Sequence, residues 1–142
     1  MIIHHTSPNT INQIDRFQAP FFGSLFFSSE IYQMSQCDVT VYSIEVSDDF
    51  ILPFDLEPTE EEIQDVIERF EHLDLDEELV FEQITEEEPE FIDGELSWFV
   101  QGLQARIARR MGYLGCESVD EQGTVYIIDM TKKEHFNLLV KA

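Results

Sequence analysis

Apolar positions follow two rhythms along this chain, and the change of rhythm divides it into three stretches. Near both ends the period is two. "DVTVYSIEV" places Tyr42, Ile44 and Val46 on one face with β-branched residues among them, the pattern of a half-buried strand. "MIIHHT" and "SLFFSS" are shorter apolar runs of the same kind. Further on, "YLGCESV" and "TVYIIDM" are joined by "DEQG", a short polar connector ending in glycine, which predicts a β-hairpin. "NLLVKA" predicts a last strand.

Between these strands the period lengthens to that of a helix. "TEEEIQDVIERF" offers Thr59 as N-cap and Glu62 three residues on, a capping box. Ile63, Val66, Ile67 and Phe70 then fall on one face, and the acids of the first turn complement the helix dipole. "DEELVFEQI" predicts a second, shorter helix. A third starts after Asp93 and runs through "GELSWFVQGLQARIARRM", with Leu96, Phe99, Val100, Leu103 and Ile107 as its stripe. Gly112 is expected to cap it, with Arg106, Arg109 and Arg110 in the closing turns where cations are favoured. Trp98 is expected in the core with that stripe. Strands, then helices, then strands predict an α+β fold. A length of 142 residues, with no internal repeat and no Gly/Ser-rich linker, predicts one domain over 1–142.

Charge changes this picture most. Thirty acids against eight Lys and Arg give a net charge of −22. Eighteen of the acids lie between Glu57 and Glu95, where Arg69 is the only Lys or Arg, so the helical middle is also the acidic section, about 57–95. Phosphate would be repelled, which argues against a nucleic-acid ligand and for a basic protein partner. The plainer meaning is solubility, or a halophilic source. Hydrophobic residues make up 43% of the chain and phenylalanines number 12, enough for a packed core despite the charge. No apolar run reaches membrane-spanning length, and no basic stretch leads into an apolar one as a signal peptide does. Cys37 and Cys116 lie far apart, match no metal-ligand spacing and have no identifiable base nearby, so no metal and no nucleophilic thiol are expected. Reduced thiols fit a cytoplasmic protein. Nothing in the sequence specifies an oligomeric state.

Three fragments carry candidate chemistry. "IIHHTSP" ends a strand in His4, His5, Thr6 and Ser7, a donor and acceptor set suited to ribose hydroxyls and carboxamides. Read plainly, it is a turn before Pro8 with surface histidines. "FFGSLFFSSEIYQM" supplies Phe26, Phe27, Ser28, Ser29 and Tyr32, aromatic rings able to stack a flat heterocycle with hydroxyls around it; most such phenylalanines are core. "ESVDEQGTVYIID" crowds Glu117, Asp120 and Glu121 at the hairpin turn, where a carboxylate could stabilise positive charge developing on a sugar. An Asp there also has a purely local use, bonding the backbone two residues on. Arg106, Arg109 and Arg110 could clamp a pyrophosphate, although a solvated helix end paired with nearby acids explains them as well. His72 and His135 read as surface residues.

In this order the fragments look like the mono-ADP-ribosyltransferase fold. "HTSP", "LFFSSEIYQM", "CDVTVYSIEV", "ELSW" and "GYLGCESVDEQGTVYIIDM" together strongly resemble the phage-encoded anti-CRISPR ADP-ribosyltransferases that act on type I-F CRISPR surveillance complexes. The likeness covers nearly the whole chain, more loosely in the acidic middle, and "DEQGT-Y-ID" is its most specific element. The resemblance implies split antiparallel sheets and an NAD-dependent transferase, encoded by a phage or mobile element and acting in a bacterial cytoplasm. It implies that His5, followed by Thr6 and Ser7, holds the ribose and adenosine side of NAD; His4 stands where an aromatic is more usual, which leaves open which histidine serves. It implies that Phe27, Ser28 and Tyr32 flank nicotinamide, and that Asp120 is the catalytic acid of the third motif. Many relatives in the wider superfamily carry Glu at that motif, which makes Glu121 the reserve. The implied target is an Asn side chain of Cas8f, the subunit that recognises the PAM. A rival of another class is a non-enzymatic DNA mimic, whose carboxylates would imitate phosphates and occlude a basic groove; it gives no role to "HTSP" or "DEQGT".

Overall fold

The computed structural model describes residues 2–7, 24–28, 40–46, 49–86, 94–120, 123–130 and 140–141. Within them four strands, then three α-helices, then three strands follow one another, the order the rhythm of the chain predicts. The strands are β1 (Ile2–Ser7), β2 (Ser24–Phe27), β3 (Thr40–Glu45), β4 (Phe50–Ile51), β5 (Gly115–Asp120), β6 (Gly123–Asp129) and β7 (Val140–Lys141). The helices are α1 (Glu60–Arg69), α2 (Glu77–Thr85) and α3 (Gly94–Arg110), with short 3-10 turns at Pro53–Asp55 and Glu71–Leu73.

Two sheets form, one ordered β1-β3-β7 and the other β2-β6-β5-β4. The fold is α+β, two split sheets with the helices between them in sequence. Among the described residues all pairings are antiparallel except one: β4 lies parallel to β5, Phe50 opposite Gly115 and Ile51 opposite Cys116. That two-residue strand is too short to leave a periodic signal; it adds one parallel pair to the split antiparallel sheets. The predicted hairpin is present, with Asp120 opposite Gly123 at its last rung.

Strand alternation sorts the second sheet into two faces. Leu25, Phe27, Ile128 and Met130 meet Ile3, Ile44 and Val46 of the first sheet in one core. Val125 and Ile127, on the opposite face, pack with Phe26 against Ala105 of α3. Beyond α3 lies the largest core, where Val66, Phe70, Val80, Ile84, Phe99, Leu103 and Ile107 close the helices on one another. Burying a ring such as Phe99, 1% exposed, is worth about 2–3 kcal/mol. The order of layers is therefore sheet, sheet, α3, then α1 and α2.

Local signals fix the helix ends. Thr59 Oγ1 accepts from the Glu62 N–H at 3.2 Å, and Glu62 Oε1 accepts from the Thr59 N–H at 2.8 Å, completing the predicted capping box. Asp76 caps α2 through the Leu79 N–H at 2.7 Å. Gly112, at φ 94°, ends α3; its N–H reaches the Arg109 carbonyl and the Tyr113 N–H reaches that of Ala108, a Schellman motif that a residue without Cβ adopts freely. Trp98 departs from expectation. It is 45% exposed, because it falls off the stripe of Leu96, Phe99, Val100, Leu103 and Ile107, all of which are buried.

Candidate functional site

The two sheets are stitched together where the first two fragments meet. The His4 N–H donates to the Ser28 carbonyl at 2.7 Å, and the Ser28 N–H donates back to the His4 carbonyl at 2.9 Å. This lone bridge between β1 and the end of β2 sets "HHTS" directly beside "FFS". The two histidines then diverge, as successive strand residues must. His4 Nδ1 lies 2.8 Å from Ser43 Oγ on the neighbouring strand. His5 shares the face of Ile3, and its Nδ1 lies 2.8 Å from the Phe26 carbonyl.

A carbonyl can only accept, so His5 Nδ1 carries the proton in that bond and Nε2 is left as the lone-pair nitrogen of the neutral ring. Burial lowers the imidazole pKa below its ordinary value, and the Phe26 bond opposes this more weakly. His5 also sits 5.8 Å from the Phe27 ring, centroid to centroid, at a tilt of 54°. Phe27 itself is 1% exposed. It serves the core between the sheets, and its placement beside His5 is the part of that core nearest the bridge. Ser28 is buried too, on the backbone pair just described.

The third fragment comes to the same end of the second sheet. β2 runs from Ser24 opposite Asp129 to Phe27 opposite Tyr126, toward the hairpin turn, and Asp120 forms the rung nearest that turn. For Thr6, Ser7 and Asp120 the described part is the backbone: Thr6 and Ser7 continue β1 opposite Val41 and Thr40, and Asp120 closes β5. Tyr32, Glu121, Cys37 and His135 lie outside the described residues. The backbone thus gathers His4, His5, Phe27 and Ser28 at one seam and sets the Asp120 turn at its end. A neutral imidazole with a free acceptor suits a hydroxyl donor such as a ribose 2′- or 3′-OH.

The arginines belong elsewhere. Arg69, Arg106, Arg109 and Arg110 line a groove of ≈ 780 Å³ between α1 and α3. Arg110 donates to Glu62 Oε1 at 2.9 Å and to the Glu57 carbonyl at 2.6 Å. Arg109 lies 3.5 Å from the fully buried carboxylate of Asp129, and the Arg69 guanidinium lies over the Phe99 ring at 4.9 Å. Arg109 and Arg110 thus make the pairings with acids that the sequence offered as the plainer alternative to a pyrophosphate clamp, while Arg106, like Arg69, lies over the Phe99 ring. Cys116 is buried and its thiol is pushed up to about 12, by burial and then by the Glu117 charge, which leaves it without nucleophilic thiolate. His72 is exposed, as expected. Among the described residues no three His, Cys, Asp or Glu converge as metal ligands, and no helix is long and apolar enough to cross a membrane.

Sequence reasoning missed the roles of Ser43 and the Phe26 carbonyl, which orient the two histidines. Tyr42, Ile44 and Val46 predicted β3 correctly, and Ser43, one place off that face, was the available signal.

No family model matches the chain, and no curated protein matches it. Among solved structures the fold is similar to that of a protein known from the "Crystal structure of an anti-CRISPR protein": the TM-score is 0.59, with 25% identity over 90% of this chain and 88% of that one.

Proposed function

We propose that this chain is an anti-CRISPR protein that transfers ADP-ribose from NAD to an Asn side chain of the PAM-recognising Cas8f subunit, blocking binding of target DNA by the type I-F surveillance complex. The observation that carries the reading is the His4–Ser28 bridge. It juxtaposes two fragments separated in sequence, and beside it stands His5, whose charged form burial disfavours and whose Nδ1 bond to the Phe26 carbonyl leaves an acceptor nitrogen, next to the Phe27 ring. Two likenesses support it: that of the motifs to anti-CRISPR ADP-ribosyltransferases, and that of the whole fold to a solved anti-CRISPR protein.

The chemistry follows from charge. NAD is the donor substrate. The bond between nicotinamide N1 and ribose C1′ breaks, its electron pair leaves with neutral nicotinamide, and the sugar becomes oxocarbenium-like. The Asp120 carboxylate stabilises that cation and bonds a ribose hydroxyl, with Glu121 the alternative for this role. His5 accepts a hydrogen bond from ribose, with Thr6 and Ser7 beside it, while Phe27, Ser28 and Tyr32 border nicotinamide. The Asn amide nitrogen attacks C1′ and loses a proton. An amide is a poor nucleophile, so holding the two proteins in register supplies much of the rate.

A surface that reads a PAM must be basic to contact phosphate, and a chain of charge −22 is steered to it. The added pyrophosphate then repels incoming DNA. The test mixes purified protein, NAD and a type I-F surveillance complex and reads intact mass. The expected result is a gain of one ADP-ribose on Cas8f. Stoichiometric inhibition without NAD, retained by Asp120→Ala, would establish the DNA-mimic decoy instead.

A further inference from the structure

The core stripe of α2 is Val80, Gln83 and Ile84, all buried against the other helices. Flanking this stripe on α2 is Phe81, 47% exposed, with Glu77 and Glu78 one turn before it and Glu82 beside it, all three exposed. The turn at Pro53–Asp55 packs against α2 and presents Phe54, 58% exposed, next to exposed Asp55. Two adjoining elements thus each leave a phenylalanine in water. Each had apolar alternatives in its own core, filled by Pro53, Leu56, Val80 and Ile84.

We infer that Phe81, with Phe54 on the adjoining turn, is the apolar anchor by which the acidic helical section docks on a basic protein surface. This rests on the function proposed above and names the contact it uses. The occupant follows from charge complementarity. A purely apolar partner would strip water from Glu77, Glu78 and Glu82 without replacing it. A partner that offers an apolar depression rimmed by Lys and Arg buries the ring and pairs the rim, the usual division between the centre and edge of an interface. A nucleic acid offers no such rim and is repelled.

The experiment immobilises a purified type I-F surveillance complex and measures binding kinetics with NAD absent. Phe81→Ala is expected to weaken binding about tenfold or more, through faster dissociation. Glu77→Gln/Glu78→Gln/Glu82→Gln is expected to slow association several-fold, to flatten its salt dependence, and to leave dissociation nearly unchanged. Because Phe81 is exposed, thermal melts of both variants should match the parent. Wild-type affinity for Phe81→Ala, or no binding by the parent protein, overturns the proposal. Adding NAD to the same complex separates the two ideas. Binding that depends on Phe81 without ADP-ribose transfer sinks the enzyme reading alone, and transfer indifferent to Phe81 sinks the anchor alone.

Discussion

The helical section and the seam between the sheets are built by opposite means. In the helical section, the capped helix ends are decided within a few residues. Thr59 and Glu62 close on each other, Asp76 caps its own helix, and Gly112 turns the chain out of α3. At the seam nothing is local. His4 meets Ser43 across 39 residues of chain and His5 meets the Phe26 carbonyl across 21. The lesson concerns which property each region supports. Buried apolar surface and caps give the helices stability that tolerates a dense acidic exterior, whereas the seam depends on register and small polar contacts. Stability and the proposed chemistry should therefore separate under mutation.

The sharpest test is Asp120→Ala. Transfer from NAD should fall by about 10²–10³-fold, the usual cost of removing a group aimed at transition-state charge, with the thermal melt unmoved. A variant that retains activity would place the chemistry elsewhere, Glu121 first. Gly115→Ala should do the reverse and damage both regions at once. A Cβ there would run into the Ile127 carbonyl, with the Phe50 ring and the Ile128 side chain each 3.1 Å away, so no flexible neighbour can yield. A loss of about 2–4 kcal/mol is expected in chemical denaturation. Parent-like stability would mean that β5 does not lie this close to β6 and β4.

Gln83→Met should act on the helices alone, and favourably. Gln83 is 2% exposed, and among the described residues neither its amide nitrogen nor its oxygen has a hydrogen-bond partner. A near-isosteric thioether removes that penalty and should raise stability by about 1–2 kcal/mol with transfer unchanged. The smallest effect belongs to the seam. Burial holds the His5 pKa below its ordinary 6.5. As pH falls through about 6.5 the unfolded chain takes up a proton that the folded one refuses, so stability declines with falling pH. His5→Asn should flatten the slope of unfolding free energy just below about pH 6.5 relative to the parent. An unchanged slope would mean that the ring is solvated.

Legibility in the sequence divides along the same line. The capping box, the α3 stripe, the glycine cap and the hairpin were all readable, because each is a pattern of near neighbours at the period of its own element. Trp98 misled because an indole suggests burial, while its place one residue off the stripe puts it outside. β4 gave no warning, since two residues have no period. At the seam, the residue types in "HHTS" and "FFS" could be singled out, yet neither the bridge between them nor the Phe26 carbonyl as the partner of His5 is encoded locally. Backbone carbonyls leave no trace in a sequence, and cross-sheet pairing is a property of the whole fold.

The His4–Ser28 bridge gives this division a practical edge. Besides the shared apolar core, two backbone hydrogen bonds join the sheets here, and sliding β2 by one position would send its alternating side chains to the wrong sides of the sheet. The helices would register none of it. A preparation misassembled there would give an ordinary helical spectrum and an ordinary elution volume while having lost the alignment that the proposed transfer needs, so purity and helicity are poor certificates of competence for this molecule.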